Sequence, residues 1–239
     1  MKESRSVWTP TPLEMLELGF LTLIDKHNPP YEILYLYGPT QEGGEVVENM
    51  ITSAKNMYFG GITKRVGILG TTFKEGQERG ITWMGVEFWQ QIIDRDPAIP
   101  PKDTVRLPAC YFTAEESEQL LRLTDQNKWE RLCIMAVPQH LPRCVLNVVA
   151  TMKKLGIDKN IYAVAASLNH DWSKMATKTV VGGEKIIGHL VDHIPPEYER
   201  IVKCGGKVTP GGMYLPPFPP CATVAELKEY LKKRNARDR

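Results

Sequence analysis

Residues 129–156 read WERLCIMAVPQHLPRCVLNVVATMKKLG, and this stretch decides the fold. Leu132, Cys133, Ile134, Met135, Ala136 and Val137 form a run without one charged or hydrogen-bonding side chain. Such a run suits a central strand covered on both faces of a parallel sheet. Pro138 ends it, because proline has no N–H to give to a ladder. From Pro142 onward, Val145, Val148, Val149, Met152 and Leu155 recur at a helical period. Pro142 belongs in the first turn of that helix and Gly156 just past its last. The corner between strand and helix carries Gln139, His140 and Arg143. Ligands in open α/β sheets bind outside the carboxyl ends of the strands. The corner therefore puts an amide, an imidazole and a guanidinium where such a sheet does its chemistry.

The same alternation continues on both sides. Strands are predicted at 32–37 (EILYLY), 66–69, 104–107 and 160–166, with helices at 12–24, 45–59, 82–93 and 113–126. Thr113 with Glu116 three residues later reads as a capping box, which leaves Glu115 without a local duty. Five strands alternating with helices predict a parallel sheet, right-handed crossovers and helices on both faces. Further helices are predicted near 184–191 and 196–202, and a last one after Thr223. Residues 205–221, GGKVTPGGMYLPPFPPC, read as an irregular arm or lid. The domain layout is a helical lead-in at 1–30, the α/β unit at 31–168, and C-terminal helices with the Pro/Gly arm at 169–239.

Composition narrows the function. The 239 residues are 42% hydrophobic and 24% charged, as in soluble globular chains. Lys plus Arg is 30 and Asp plus Glu is 28, a net charge of +2, so no global field draws nucleic acid or an anionic membrane. Five cysteines without a CxxC pair argue against a zinc knuckle or a dithiol redox motif and suit a reducing compartment. No signal-type apolar segment opens the chain and no run nears the ~18 residues of a membrane span. The expectation is a soluble, cytoplasmic protein with no membrane anchor and no nucleic-acid partner.

The strand exits are polar: Gly38-Pro39-Thr40, Gly70-Thr71-Thr72, Gln139-His140 and Asn169-His170-Asp171. Helix N-termini that follow strands suit phosphate or carboxylate. His140 and Arg143 are the leading catalytic candidates, an imidazole for proton transfer and a guanidinium fork for an anion. His189 and His193 are four apart but lack a carboxylate partner, and Pro195 cuts their helix. There is no GxxxxGK[ST], no GxGxxG after the first strand and no GxSxG, which disfavours a P-loop protein, a dinucleotide enzyme and a serine hydrolase.

The strand followed by PQHLPRC resembles the "strand, then H-x-x-R-A" signature of the YdcF/SanA/ElyC-like proteins, a domain of unknown function. His140 and Arg143 match its histidine and arginine, and Cys144 stands where alanine is usual. Residues 113–116, TAEE, resemble its "N-T-x-E-N" segment: Thr113 and Glu115 fit, while Phe112 and Glu116 replace the asparagines. EILYLYGP is similar to its first strand and glycine turn, and Gly70-Thr71-Thr72 stands where Ser-Gly-Gly is common. The likeness covers residues 31–168. It implies a three-layer, Rossmann-like parallel sheet of about five strands with a C-terminal helical extension. For soluble members it also implies a nucleotide-like ligand, S-adenosylmethionine among the proposals.

The expected activity is binding of a small anionic or nucleotide-like ligand on the strand-exit rim. Arg143 would meet phosphate or carboxylate, and His140 would donate a hydrogen bond or move a proton. Thr113 and Glu115 would hold sugar hydroxyls or an ammonium. Gly38 and Gly70 would let ligand approach the backbone, and Pro39, Thr71, Thr72, Gln139 and His170 would complete the rim. The alternatives are a phosphate-transferring or hydrolysing enzyme or a methyltransferase using His140 and Arg143, and a non-catalytic partner-binding protein.

Overall fold

Alternate residues of the central strands feed two separate cores, and this period of two is what makes the sheet a middle layer. The computed structural model describes residues 11–23, 25, 27–38, 44–78, 84–166, 175–179, 185–189, 201, 207–208, 214–215 and 221–238. Five strands form one parallel sheet: β1 (Ile33–Leu36), β2 (Val66–Ile68), β3 (Thr104–Arg106), β4 (Arg131–Ala136) and β5 (Asn160–Ala165). Their order is β3-β2-β1-β4-β5. Ile33, Tyr35 and Tyr37 face one core with Leu132, Ile134 and Ala136; Leu34 and Leu36 face the other with Cys133 and Met135.

The first core is covered by α1 (Pro12–Leu23), α5 (Thr113–Gln126), α6 (Leu141–Leu155) and α7 (Val224–Arg237). The second is covered by α2 (Gly44–Phe59) and α4 (Gly85–Ile93), with Trp89 fully buried. The architecture is a three-layer, Rossmann-like α/β sandwich. Gly67 of β2 turns its bare Cα toward the first core, where a Cβ would sit 2.9 Å from both Ile33 and Tyr35.

All five strands and the helices at 12–23, 44–59, 85–93, 113–126 and 141–155 lie where the sequence predicts them, to within a few residues at each end. Gly156 closes α6 at φ 67°, returning its N–H to Met152 O. Elsewhere the structure corrects the sequence reading. The loop predicted after β2 contains a short helix, α3 (Phe73–Glu78), opened by Thr72. Lys185–His189, within the helix predicted near 184–191, is instead a strand, β7, antiparallel to β6 (Met175–Thr179). The reason is composition: β-branched Thr177, Thr179, Ile186 and Ile187 favour a strand over a helix. The arm at 205–221 is not wholly irregular, since Lys207–Val208 and Tyr214–Leu215 pair as β8 and β9. Apart from Ile201, which is helical, the helix predicted at 196–202 lies outside the described residues, as does His193. Among the described residues, no helix is long and apolar enough to cross a membrane.

The strand order reverses between β1 and β4. Helices after β1 and β2 lie on one face, those after β3 and β4 on the other. The two strands lead their chains to opposite faces beyond their carboxyl ends, Leu36 opposite Met135, and this switch point is where open α/β sheets bind ligands.

Candidate functional site

Each residue at this switch point is placed by its element. After β4, Val137 O accepts from both His140 N and Leu141 N, at 2.9 and 3.0 Å, so residues 138–140 form a tight turn. His140 becomes the N-cap residue of α6, yet its side chain makes no cap hydrogen bond. The imidazole is buried, 3% exposed, with Nε2 3.4 Å from Thr113 Oγ1. Its ring lies 6.5 Å from that of Tyr37. One turn into α6, Arg143 Nη1 donates to the same Thr113 Oγ1 at 2.7 Å. Arg143 O is held by Asn147 Nδ2 at 2.9 Å. His140, Arg143 and Thr113, drawn from two elements far apart in sequence, thus meet at one hydroxyl.

A second layer lies beneath. Ser117 Oγ donates to Thr113 O at 2.8 Å, and Tyr37 Oη lies 2.8 Å from Ser117 Oγ. Tyr35 Oη donates to Glu116 Oε1 at 2.9 Å, and Gly38 N–H also serves this carboxyl. Tyr35 and Tyr37 stack edge to face, 5.0 Å apart. Period two along β1 aims both phenols at α5. Glu116 is 4% exposed, and burial pushes its carboxyl up to about 7, against the opposing pull of Tyr35, Gly38 N–H and the Arg143 charge. Burial likewise pushes the Cys110 thiol up to about 12, aided by Glu116 and Glu115, which makes it a poor nucleophile near neutrality.

The acids of α5 have exchanged the roles read from sequence. The capping box at Thr113 does not form, because Phe112 is the N-cap residue and has no hydroxyl. Glu115 instead supplies the local duty: Oε2 accepts from Tyr111 N at 2.9 Å, tying the preceding loop to the helix. Glu116 points into the core. The sequence reading missed Glu116, Tyr35, Ser117 and Tyr37, since a T-x-x-E pattern explains Glu116 without them. The available signal was the Tyr35–Tyr37 alternation, two hydroxyls on one face of an apolar strand.

The β2 exit is built for packing. A Cβ on Gly70 would fall on the Leu107 carbonyl oxygen, so glycine here lets the β2 and β3 exits touch. Thr71 Oγ1 donates to Cys110 O at 2.6 Å and accepts from Cys110 N at 3.0 Å, a buried staple across the same two exits. Thr72 caps α3: its hydroxyl accepts from Glu75 N at 3.1 Å, and Glu75 Oε2 accepts from Thr72 N at 2.8 Å. These contacts correct the rim reading for Gly70, Thr71 and Thr72, whose polar groups and open space are used by the protein itself.

Gln139 is the reverse case. It is 6% exposed, and among the described residues neither Nε2 nor Oε1 has a hydrogen-bond partner. Pro39 and His170 lie outside the described residues. Among the described residues, no group of three or more His, Cys, Asp or Glu side chains could hold a metal ion.

No protein-family model, curated protein or solved structure matches this chain.

Proposed function

We propose that this chain is a cytoplasmic, YdcF-like protein that binds a small anionic or nucleotide-like ligand at the β1–β4 switch point, S-adenosylmethionine among the candidates. The observation that carries the reading is the convergence of Arg143 Nη1 and His140 Nε2 on Thr113 Oγ1 at the carboxyl end of β4. The N-terminus of α6, a helix of 15 residues, adds its positive dipole end beside the guanidinium. Arg143 takes the ligand's phosphate or carboxylate, and Thr113 fixes the fork that does so. His140 supplies a hydrogen bond or carries a proton. Native mass spectrometry of protein purified without added ligand tests the reading. A co-purifying small mass is expected, and calorimetry should then show affinity for AMP or S-adenosylmethionine falling at least ten-fold in Arg143→Gln. Unchanged affinity in a folded Arg143→Gln chain overturns it.

A phosphate-transferring, hydrolysing or methyl-transferring enzyme on the same residues is the second reading, favoured by Glu116. A carboxyl raised to about 7 beside Arg143 can give or take a proton near neutrality. Turnover that vanishes in His140→Ala while binding survives would separate it from simple binding.

A further inference from the structure

Among the described residues, Gln139 is the side chain of the β4 exit whose buried polar atoms meet no partner. Both Nε2 and Oε1 are buried and neither has a partner among the described residues. A buried amide with no hydrogen bond is costly, so a surface-seeking glutamine is an unfavourable choice at this position. The turn that carries it leaves little slack: Val137 O takes two N–H donors and fixes residues 138–140. The neighbouring residue, His140, already reaches Thr113 Oγ1, the hydroxyl that the Arg143 fork also meets.

The chemistry of the amide narrows what would satisfy it. A carboxamide offers an acceptor and a donor side by side. A phosphate or carboxylate offers acceptors only and would oppose Oε1. The complementary group carries a donor next to an acceptor, as an adenine edge does with its amino group beside a ring nitrogen. We infer that Gln139 is a specificity-determining residue of the switch-point site, where its unpartnered, buried amide reads the donor–acceptor edge of a nucleobase while Arg143 holds the anion. This rests on the anion-binding reading of Arg143 and goes beyond it by assigning the base.

Calorimetric titration of AMP and of ribose 5-phosphate, which has the anion without the base, tests the assignment. Wild-type chain is expected to bind AMP at least ten-fold more tightly than ribose 5-phosphate. Gln139→Met is expected to erase most of that preference while leaving ribose 5-phosphate unchanged, and to melt no lower than wild type, because two unmet polar atoms become apolar. Equal wild-type affinities for the two probes, or an AMP preference that survives in Gln139→Met, overturn the inference and leave the role of Arg143 standing. Binding of neither probe overturns both. A Gln139→Met chain that melts several degrees lower shows the amide to be satisfied internally and also overturns the inference. Should that chain not fold, wild-type protein is titrated with purine riboside 5′-monophosphate, which lacks the amino donor. A ten-fold loss against AMP is expected, and equal affinity refutes the base-reading role.

Discussion

Arg143 and Thr113, 30 residues apart in sequence, are joined by a 2.7 Å hydrogen bond from guanidinium to hydroxyl. The bond makes the first turn of α5 the support for the charged group of α6. Thr113→Val keeps shape and removes the acceptor, so Arg143 loses a fixed orientation. A charge-assisted hydrogen bond of this kind contributes about 2 kcal/mol. The expected result is a loss of that order in AMP or S-adenosylmethionine affinity by calorimetry, with a smaller loss of stability by urea denaturation. Affinity equal to wild type in a folded Thr113→Val chain would show that Arg143 needs no such support.

Glu116 predicts a pH-dependent stability with an unusual sign. Its carboxyl is pushed up to about 7 in the folded chain from an ordinary value of 4.5, chiefly by burial. Between those values the folded state keeps a proton that the unfolded state has lost. Stability therefore falls as pH rises from about 4.5 to about 7, and is flat above, by at most about 3 kcal/mol. Glu116→Gln keeps an acceptor for Tyr35 and cannot titrate. Urea denaturation at pH 5, 6, 7 and 8 should show the decline in wild type and its absence in Glu116→Gln. The same decline in both chains would assign it to another group.

Much of this site was legible in the chain. The apolar run from Leu132 to Val137 could only be a covered strand, and Pro138 fixed where it stopped, so the placement of Gln139, His140 and Arg143 followed. What stayed hidden depended on which face of an element turned inward. A T-x-x-E pattern occurs at both Thr72 and Thr113, and only the first is a cap, because the rotation of α5 against β1 sends Glu116 toward Tyr35. No local pattern encodes that rotation. The packing duty of Gly70 was hidden for a similar reason: its neighbour in space is Leu107, just past β3 and 37 positions later in the sequence.

Gly70→Ala should accordingly act on stability and not on binding. The added methyl meets the backbone oxygen of Leu107, which cannot move without shifting β3. A loss of about 2 kcal/mol or more is expected, as for other overpacked interiors. Denaturation midpoints give the stability, and AMP titration of the remaining folded chain should give wild-type affinity. A stable Gly70→Ala chain with weakened binding would return Gly70 to the ligand site.

The outer edge of β5 raises a different question, since an edge strand leaves backbone groups unpaired. Here side chains serve them. Asp25 Oδ2 accepts from Ala163 N at 3.0 Å, Tyr230 Oη accepts from Ile161 N at 2.6 Å, and Arg234 Nη1 donates to Ile161 O at 2.6 Å. Arg234 and Asp25 are also a buried ion pair, with Nη1–Oδ2 at 2.8 Å and Nη2–Oδ1 at 2.6 Å, and the guanidinium lies 4.6 Å from the Tyr162 ring centre. The pair ties the segment after α1, the edge of β5 and α7 into one unit. Removing one partner strands the other charge in the interior, which costs about 3–5 kcal/mol. Asp25→Asn and Arg234→Met should each lose that much, and the double variant much less than their sum, because neither charge is then left alone. Urea denaturation of the four chains of this cycle measures the coupling. Additive losses would mean that Asp25 and Arg234 cap the strand independently and that their pairing contributes nothing of its own.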